Sequence, residues 1–229
     1  MKRLAFLLAL AGILLSINGC KKGDEDPFIS LLSRKARLTG TWTATTGHWV
    51  DYDYYAKAFS IPAVPEIDTK GTVDSVVYDL KDSVLTVYYT DDEPDTYNYY
   101  YTMIFDKDGT CKLETYTNKI GTTTKRWLTQ YGIWYFLDGN KDLEVKDKER
   151  VVIQLTKQVS KRIYILNNTT VTTIDSTMYD GSTAGSFQVI QLKELRNKEI
   201  KIMYNEETEY DNGDYSKKYG EIKFAKPEK

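Results

Sequence analysis

The sequence predicts an all-β domain, in which an antiparallel meander closes into a barrel of about eight to ten strands after one short helix. The composition favours strands, because the chain has 19 tyrosines, abundant threonine and only 5 prolines. From position 39 onward, apolar and polar side chains alternate between short turn sequences. A long meander accumulates twist and its open edges invite aggregation, so we expect the sheet to close on itself. A filled β-sandwich is the competing architecture.

The helix is expected just before the first strand. Asp26-Pro27 is typical of an N-cap followed by proline at the first helical position, and apolar residues over Phe28–Leu38 fall near helical spacing. The first strand is predicted over Thr41–Val50. Residues 51–70 contain prolines and several tyrosines, so this segment is predicted to form a long ordered loop.

Two hairpins are predicted after that loop. The first joins Val73–Leu80 to Val84–Tyr89, and the second joins Tyr97–Phe105 to Thr110–Thr117. Gly109 can take the positive φ that the four-residue connection of the second hairpin needs. Asp106-x-Asp108-Gly109 is therefore interpreted as a hairpin turn rather than as the start of a calcium loop.

The C-terminal half contains an internal repeat that predicts two more hairpins. Val152–Leu155 precedes Lys161–Leu166 with the same spacing as Val189–Leu192 precedes Lys198–Met203. In each block, apolar residues alternate on both sides of a polar segment, as a hairpin with one buried face requires. The other strands are predicted over Arg126–Leu137, Val171–Tyr179 and Tyr219–Phe224.

The start of the chain has the features of a secretory signal. Lys2 and Arg3 precede the apolar run Leu4–Leu15, which is shorter than the roughly 20 residues that span a bilayer. The segment Ser16–Cys20 resembles a lipobox, the processing motif of bacterial lipoproteins. We therefore predict a signal peptide over 1–19 and a lipid on Cys20; an ordinary secretory signal followed by a chance cysteine is the alternative.

The residues after Cys20 predict a solvated tether. The segment 20–27 is charged and contains glycine, so it cannot bury a core, and the domain is expected to occupy 28–229. This segment is similar to the export tag that follows the lipidated cysteine in surface lipoproteins of the Bacteroidetes. The resemblance implies an outer-membrane lipoprotein that faces the cell exterior; a periplasm-facing orientation is the alternative.

Composition and motif content argue against several function classes. The net charge is −2 without a basic stripe, so no nucleic-acid partner is expected. His48 is the sole histidine and is expected at the surface or rim, so neither an enzyme nor a metal or cofactor site is predicted. With Cys20 lipidated, Cys111 has no disulfide partner and is predicted to lie in the core as a small apolar residue.

Three segments resemble lipocalin-like lipoproteins of the Bacteroidetes. They are Gly40-Thr41-Trp42 after a short helix, Tyr101–Thr110, and the run Tyr131–Gly139; the resemblance extends over 38–165. It implies a β-barrel that carries a small apolar or amphipathic ligand. In lipocalins the tryptophan packs against a late arginine at the closed end; here the last arginine is Arg196, and the final strand offers Lys218 and Lys223.

The candidate ligand-binding residues are aromatic. The odd positions Tyr97, Tyr99 and Tyr101 share one face of a strand and are predicted to line the barrel interior. The tryptophans are expected in the core or in the wall of the ligand cavity. The tyrosine-rich loop corresponds to the loop that covers a lipocalin mouth, although it would also suit a sugar platform or a protein contact. The remaining candidates are Trp42, Tyr54, Tyr55, Trp127 and Trp134.

Two functions follow from these predictions. The first is a binding module, anchored to the membrane through Cys20, that holds a small hydrophobic ligand. The second is a non-enzymatic structural or interaction lipoprotein of the cell envelope, with a filled barrel or sandwich and a tyrosine-rich surface that docks an envelope protein. The first is preferred.

Overall fold

The computed structural model describes residues 32–55, 72–90, 92–137, 150–181, 186–209 and 214–227. The predicted signal peptide, Cys20 and the tether lie outside these residues. The helix α1 spans Arg34–Leu38. The strands are β1 (Gly40–Tyr55), β2 (Thr72–Lys81), β3 (Val84–Tyr89), β4 (Asp95–Phe105), β5 (Thr110–Lys119), β6 (Lys125–Phe136), β7 (Arg150–Leu166), β8 (Thr169–Met178), β9 (Phe187–Leu195), β10 (Glu199–Glu209) and β11 (Tyr215–Ala225). Within the described residues, no helix has the length and apolar character needed to cross a membrane.

The strands form a closed antiparallel β-barrel, which confirms the predicted fold class. The wall runs in the order β1, β2, β3, β4, β5, β6, β7, β9, β10 and β11, and β11 pairs with β1. Strand β8 is outside this ring and pairs with the C-terminal part of β7, whereas β9 pairs with the N-terminal part of β7. The meander is therefore interrupted once, because β9 returns to β7 instead of pairing with β8.

The barrel has two levels of different width. At its lower end, Gly40–Thr43 of β1 pairs directly with Thr102–Phe105 of β4. A register shift at Thr45 follows, and above it the β2–β3 hairpin separates β1 from β4. Without β2 and β3, eight of the ten wall strands remain at the lower level. We call the eight-stranded level the base and the ten-stranded level the upper barrel.

The base is filled by a core of large apolar side chains. Trp42 and Phe224 are fully buried, and Phe105 meets Trp134 edge to face at 5.5 Å between ring centroids. The Trp42 indole nitrogen donates to the Leu38 carbonyl oxygen at 2.6 Å. Because eight strands enclose a space just wide enough for side chains, a base of this width is expected to be solid.

The cation at the closed end is a lysine that sequence reasoning overlooked. Lys226 Nζ lies 4.6 Å from the Trp42 ring centroid and donates to the carbonyl oxygens of Thr39, at 3.0 Å, and Arg37, at 3.3 Å. Burial lowers the pKa of Lys226. Neither Arg196 nor the lysines named from the final strand take this place, because Lys226 follows β11 at the end where Trp42 lies.

The turn of the second predicted hairpin and the start of the helix can be compared with the local signals that predicted them. Gly109 has φ +95°, and Asp108 Oδ1 accepts a 2.9 Å hydrogen bond from the Thr110 backbone, so the hairpin turn is confirmed. The described helix is capped by Ser33, whose Oγ accepts from the Ala36 backbone at 3.1 Å. The Asp26-Pro27 cap lies outside the described residues.

Two predictions about strand limits were wrong. Strand β1 continues to Tyr55, because β2 and β11 flank it over Asp51–Tyr54; the predicted loop therefore begins later, and residues 56–71 are outside the described residues. The first repeat block is one continuous strand, β7, and not a hairpin. The residues between its two apolar parts include no Gly, Pro or Asn, so the strand absorbs an irregularity at Thr156 instead of turning. The second block does form the β9–β10 hairpin.

Candidate ligand-binding site

The interior of the upper barrel is lined by tyrosines. Tyr97, Tyr99 and Tyr101 of β4 pack against the core, as do Tyr78 of β2 and Tyr204 of β10. The odd positions of β4 therefore face inward, as the alternation predicted. Above the solid apolar base, the barrel thus presents a layer of aromatic rings that each carry one hydroxyl group.

Burial keeps these tyrosine hydroxyls protonated far above neutral pH. It raises the pKa of Tyr78 and of Tyr204 to about 12, with smaller contributions from nearby acidic groups such as Asp51. The pKa values of Tyr99 and Tyr101 are raised too, mainly by burial. The layer is therefore uncharged at neutral pH, and it can offer hydrogen bonds without the cost of burying an ion.

Trp49 anchors one side of the tyrosine layer. Its ring stacks on Tyr78 with centroids 4.9 Å apart and planes inclined by 6°, and Tyr204 lies 6.2 Å away. Trp49 is buried on β1, which pairs with β11 on one side and with β2 on the other at this position. Stacked rings of this kind form a rigid wall, which favours a preformed cavity over one shaped by side-chain movement.

A cavity of about 520 Å³ opens through the barrel wall between β9 and β10. These strands pair only from Ile200 to Met203 of β10, and β10 then continues to Glu209 without β9 beside it. The gap leads to Tyr101, Ile190, Ile202 and Tyr204, which line the inner part of the cavity. Its volume is in the range that small-molecule sites occupy.

Polar groups line the same cavity. Arg150, Gln188 and Glu206 contribute to its wall, and Gln188 is on the same inward face of β9 as Ile190 and Leu192. Arg150 Nε is buried and has no hydrogen-bond partner in the part of the chain that the structure describes. An unpaired buried donor is costly, so this nitrogen is available to a hydrogen-bond acceptor on a bound molecule. The cavity is therefore amphipathic, with aromatic and aliphatic side chains beside polar ones.

A second, more open cavity of about 280 Å³ lies at the barrel mouth between β1, β10 and β11. Carboxylates of Asp51, Asp53 and Glu206 line it together with Lys218. Lys218 Nζ lies 3.5 Å from Asp51 Oδ1 and 4.6 Å from the Tyr204 ring centroid. The charged mouth and the aromatic layer thus meet at Lys218, so polarity increases from the base to the mouth.

The structure brings together only some of the predicted site residues. Tyr97, Tyr99 and Tyr101 lie in the upper barrel, whereas Trp42 and Trp134 belong to the buried core of the base. The prediction for Trp127 was wrong, because this residue lies on the outer surface between Tyr116 and Lys161. The alternation along β6 places the buried Gly132 and Trp134 on the opposite side from Trp127. The backbone of Tyr54 and Tyr55 ends β1 at the barrel mouth.

Sequence reasoning missed the site residues outside β4. Trp49, Tyr78, Ile190, Ile202 and Tyr204 complete the aromatic layer and the cavity wall. All of these residues except Trp49 lie at an even spacing from a core residue on their own strand; Tyr204, for example, follows Ile200 and Ile202. The alternation that identified the β4 tyrosines could therefore have found these four residues, whereas the register shift at Thr45 puts Trp49 at an odd spacing from Trp42.

The remaining chemical candidates lie away from the cavity. His48 is exposed on the outer surface, and its Nδ1 is 2.6 Å from Asp79 Oδ1. Cys111 is a free, buried thiol in the core, as predicted, and burial raises its pKa to about 12. Among the described residues, no group of three or more His, Cys, Asp or Glu side chains is placed to hold a metal ion.

Comparison with known proteins adds no relative. The chain matches no protein-family model, no curated protein and no solved structure. The lipocalin resemblance therefore stays a prediction, while the barrel architecture is established by the strand pairing. Function has to be argued from the site itself.

Proposed function

We propose that this protein is a non-enzymatic binding module, anchored to the outer membrane through a lipid on Cys20, that holds a small amphipathic ligand in the upper barrel. The observation that carries the proposal is the cavity of about 520 Å³ between β9 and β10, whose inner wall contains Tyr101 and Tyr204. The cavity lies where two additional strands widen the barrel. A barrel of this width has room for one ligand above a filled base.

The chemistry of the cavity wall supports a ligand with two parts. An apolar body fits against Ile190, Ile202 and the tyrosine rings, which bury carbon surface and still offer hydroxyl groups. A polar or anionic head fits beside the buried Arg150 Nε, which has no partner within the described residues. A fatty acid or a similar chain with a polar head has this combination.

The envelope location rests on the start of the chain. The apolar run Leu4–Leu15 and the lipobox-like segment ending at Cys20 support lipid attachment, and the charged segment after Cys20 supports exposure on the cell surface. The sole histidine is paired with Asp79 on the outer wall, away from the cavity. A binding function therefore accounts for the interior better than acid–base catalysis does.

One observation favours the second candidate, an interaction protein of the envelope. An aromatic row crosses the outer wall from the exposed Tyr100 to the half-buried Tyr116 and Trp127, with neighbouring ring centroids 5.8 and 5.1 Å apart. Aromatic rows on a surface are typical of docking sites. The two candidates differ in which side of the wall matters, because the first depends on the interior and the second on the exterior.

Ligand binding can be tested on the mature chain carrying Cys20→Ser, which lacks the lipid and is purified without detergent. We expect saturable binding of one N-phenyl-1-naphthylamine per chain, and displacement of this probe by lauric acid. Ile190→Trp should abolish binding because the larger side chain fills the cavity. Ile133→Trp is the matched control, since Ile133 lies on the outer wall and its substitution leaves the cavity intact.

Native mass spectrometry of the same chain gives an independent readout. A persistent small-molecule adduct that Ile190→Trp removes would support the proposal. Absence of both an adduct and saturable probe binding in the wild-type chain would contradict it. Equal probe binding by the wild-type chain and Ile190→Trp would also contradict it, because the probe would then bind outside the cavity.

A further inference from the structure

Apolar side chains lie in register across the outer surface of three wall strands. Strand pairing places Tyr135 of β6 opposite Val152 of β7, which lies opposite Val189 of β9. In the next row, Ile133 and Phe187 are on either side of Gln154. We call this surface the outer apolar face; its members are Trp127, Ile133, Tyr135, Val152, Phe187 and Val189.

The outer apolar face is both continuous and exposed. Ile133, Tyr135, Phe187 and Val189 are 44, 43, 49 and 50% exposed, whereas Val152 between them is only 4% exposed. Val152 is covered because its neighbours lie side by side around it. Contiguous exposed apolar surface of this kind marks a contact site, since isolated apolar residues would leave Val152 accessible.

Lysines lie along one edge of this face, two of them over aromatic rings of the outer wall. Lys161 Nζ is 5.3 Å from the Trp127 ring centroid, and Lys112 Nζ is 6.0 Å from that of Tyr131. Lys157 lies opposite Tyr131 in the β6–β7 pairing, and Lys112 is 2.8 Å from Glu114. Aromatic and aliphatic groups fringed by lysines match a bilayer surface, where rings sit at the headgroup level and cations meet anionic headgroups.

The opposite side of the barrel has a different surface. There the outward row places His48 between Asp79 of β2 and Glu221 of β11. Glu221 is in turn 3.0 Å from Lys193 Nζ. In this row the carboxylate of Asp79 contacts His48 and that of Glu221 pairs with Lys193, as on an ordinary solvated surface. On the β6–β9 side, by contrast, Lys161 lies over the Trp127 ring, and this contrast favours that side for contact with anionic headgroups.

The outer apolar face is continuous with the opening of the cavity. Phe187 and Val189 belong to the face and also line the cavity. A lipid that leaves a bilayer in contact with this face reaches Tyr101 without crossing water. Transfer along a continuous apolar path avoids the cost of exposing the chain to solvent.

We propose that the outer apolar face docks on a lipid bilayer that contains anionic headgroups, with the cavity opening turned toward the bilayer. The proposal rests on the proposed function, because it uses both the cavity and the lipid on Cys20. Helix α1 packs at the C-terminal end of β9, where Arg37 Nη1 donates to the carbonyl oxygen of Leu195. The chain from Cys20 therefore reaches the barrel on the strand that bears Phe187 and Val189, and its extended length of at most about 45 Å allows this side to lie on the membrane.

Vesicle binding tests the docking with the full mature chain carrying Cys20→Ser, so that the lipid anchor does not contribute. We expect this chain to sediment with phosphatidylcholine vesicles that contain phosphatidylglycerol. Substituting both Ile133→Ser and Tyr135→Ser should lower the partition coefficient about tenfold or more, because two large groups lose their apolar contact. Tyr219→Ser is the matched control, since Tyr219 is 45% exposed on β11 and should leave the partition unchanged.

A charge variant separates the two contributions. Lys157→Ala with Lys161→Ala should remove the preference for vesicles containing phosphatidylglycerol, and added salt should have the same effect on the wild-type chain. Circular dichroism of each variant establishes that the barrel is intact. Partition that is equal for the wild type and for the Ile133/Tyr135 variant would overturn the proposal, as would absence of vesicle binding.

Two further results distinguish this proposal from the proposed function. If N-phenyl-1-naphthylamine binds in solution while no variant or condition gives vesicle binding, the docking proposal fails and the cavity proposal stands. If vesicles bind as expected but the probe does not, docking stands and the cavity proposal fails. A dimer that forms without vesicles and dissociates on Ile133→Ser with Tyr135→Ser would overturn docking, because the face would then bind a second copy of the chain.

Discussion

The base and the upper barrel are built by the same strands but are filled differently. In the base, β1 pairs with β4 and eight strands enclose Trp42, Phe105 and Phe224, all of which are fully buried. In the upper barrel, the β2–β3 hairpin lies between β1 and β4, and the wider interior holds tyrosines and a cavity of about 520 Å³. The inserted β2–β3 hairpin therefore turns a filled barrel into one with an internal cavity, because the interior width grows with the number of strands.

The largest expected effect is a loss of stability at alkaline pH that originates in the upper barrel. The tyrosines with raised pKa values lie in the upper barrel, where burial raises those of Tyr78 and Tyr204 to about 12. The unfolded chain releases these protons near pH 10, so the free energy of unfolding is unaffected below pH 10 and falls as pH rises from 10 toward 12. We expect the barrel to unfold in this window, with phenolate absorbance and circular dichroism changing together.

The buried Cys111 thiol also lowers the free energy of unfolding as the pH rises above about 9, because its pKa is raised in the folded protein. Making the measurement on Cys111→Ala removes this contribution. On that background, Tyr204→Phe should move the alkaline midpoint upward, whereas Tyr219→Phe on the outer wall should leave it unchanged. Full phenolate formation without loss of the circular dichroism signal would show that the tyrosine layer is accessible to water, and would contradict the distinction between the levels.

A substitution in the base should have the next largest effect. Trp42→Ala removes a fully buried indole and its hydrogen bond to Leu38, and should lower the free energy of unfolding by about 3–5 kcal/mol. Trp127→Ala is a matched change on the outer wall and should cost less than about 1 kcal/mol. Urea denaturation measures both values. Similar losses for the two variants would mean that the base is not the better packed level.

A glycine opposite Trp49 in the upper barrel is the third test. Gly220 of β11 has φ +134°, and a Cβ there would lie 2.3 Å from the His48 carbonyl oxygen and 2.5 Å from Trp49 Cα. Gly220→Ala therefore combines backbone strain with a clash against β1, and should destabilise the barrel by about 2–4 kcal/mol. Gly121 has φ +83° and open space around it, so Gly121→Ala reports strain alone at about 1 kcal/mol. If both variants lose the same free energy of unfolding, the close approach of β11 to β1 at Gly220 adds nothing to the cost of the substitution.

Side-chain alternation predicted the strands because it depends only on neighbouring residues. The β4 tyrosines were placed inward by their odd positions, and the turn at Gly109 was identified by its need for positive φ. These signals lie within one strand or one turn. The sequence could therefore predict strands, turns and which face of β4 is buried.

Features that depend on pairing between distant strands were not predictable in this way. Strand β7 was interpreted as a hairpin because a polar segment separates its two apolar parts, yet β7 continues along β6 through that segment with one irregularity at Thr156. Trp127 was assigned to the interior by residue type alone, although its position on β6 points outward. The cavity depends on where β9 stops pairing with β10, and no local signal in either strand fixes that point.

The smallest expected effect compares the lysines that lie over aromatic rings at the two levels. Lys226 in the base contacts Trp42 and donates to two backbone carbonyl groups, whereas Lys218 in the upper barrel lies over Tyr204 near Asp51. Lys226→Met should lower the free energy of unfolding by about 1–2 kcal/mol, because the lost cation–π contact and hydrogen bonds outweigh the relief of burying a charge. Lys218→Met should cost less than about 1 kcal/mol, because its ion pair is partly exposed. Chemical denaturation at neutral pH measures both; a larger loss for Lys218→Met would place the more important cation at the mouth and reverse the comparison.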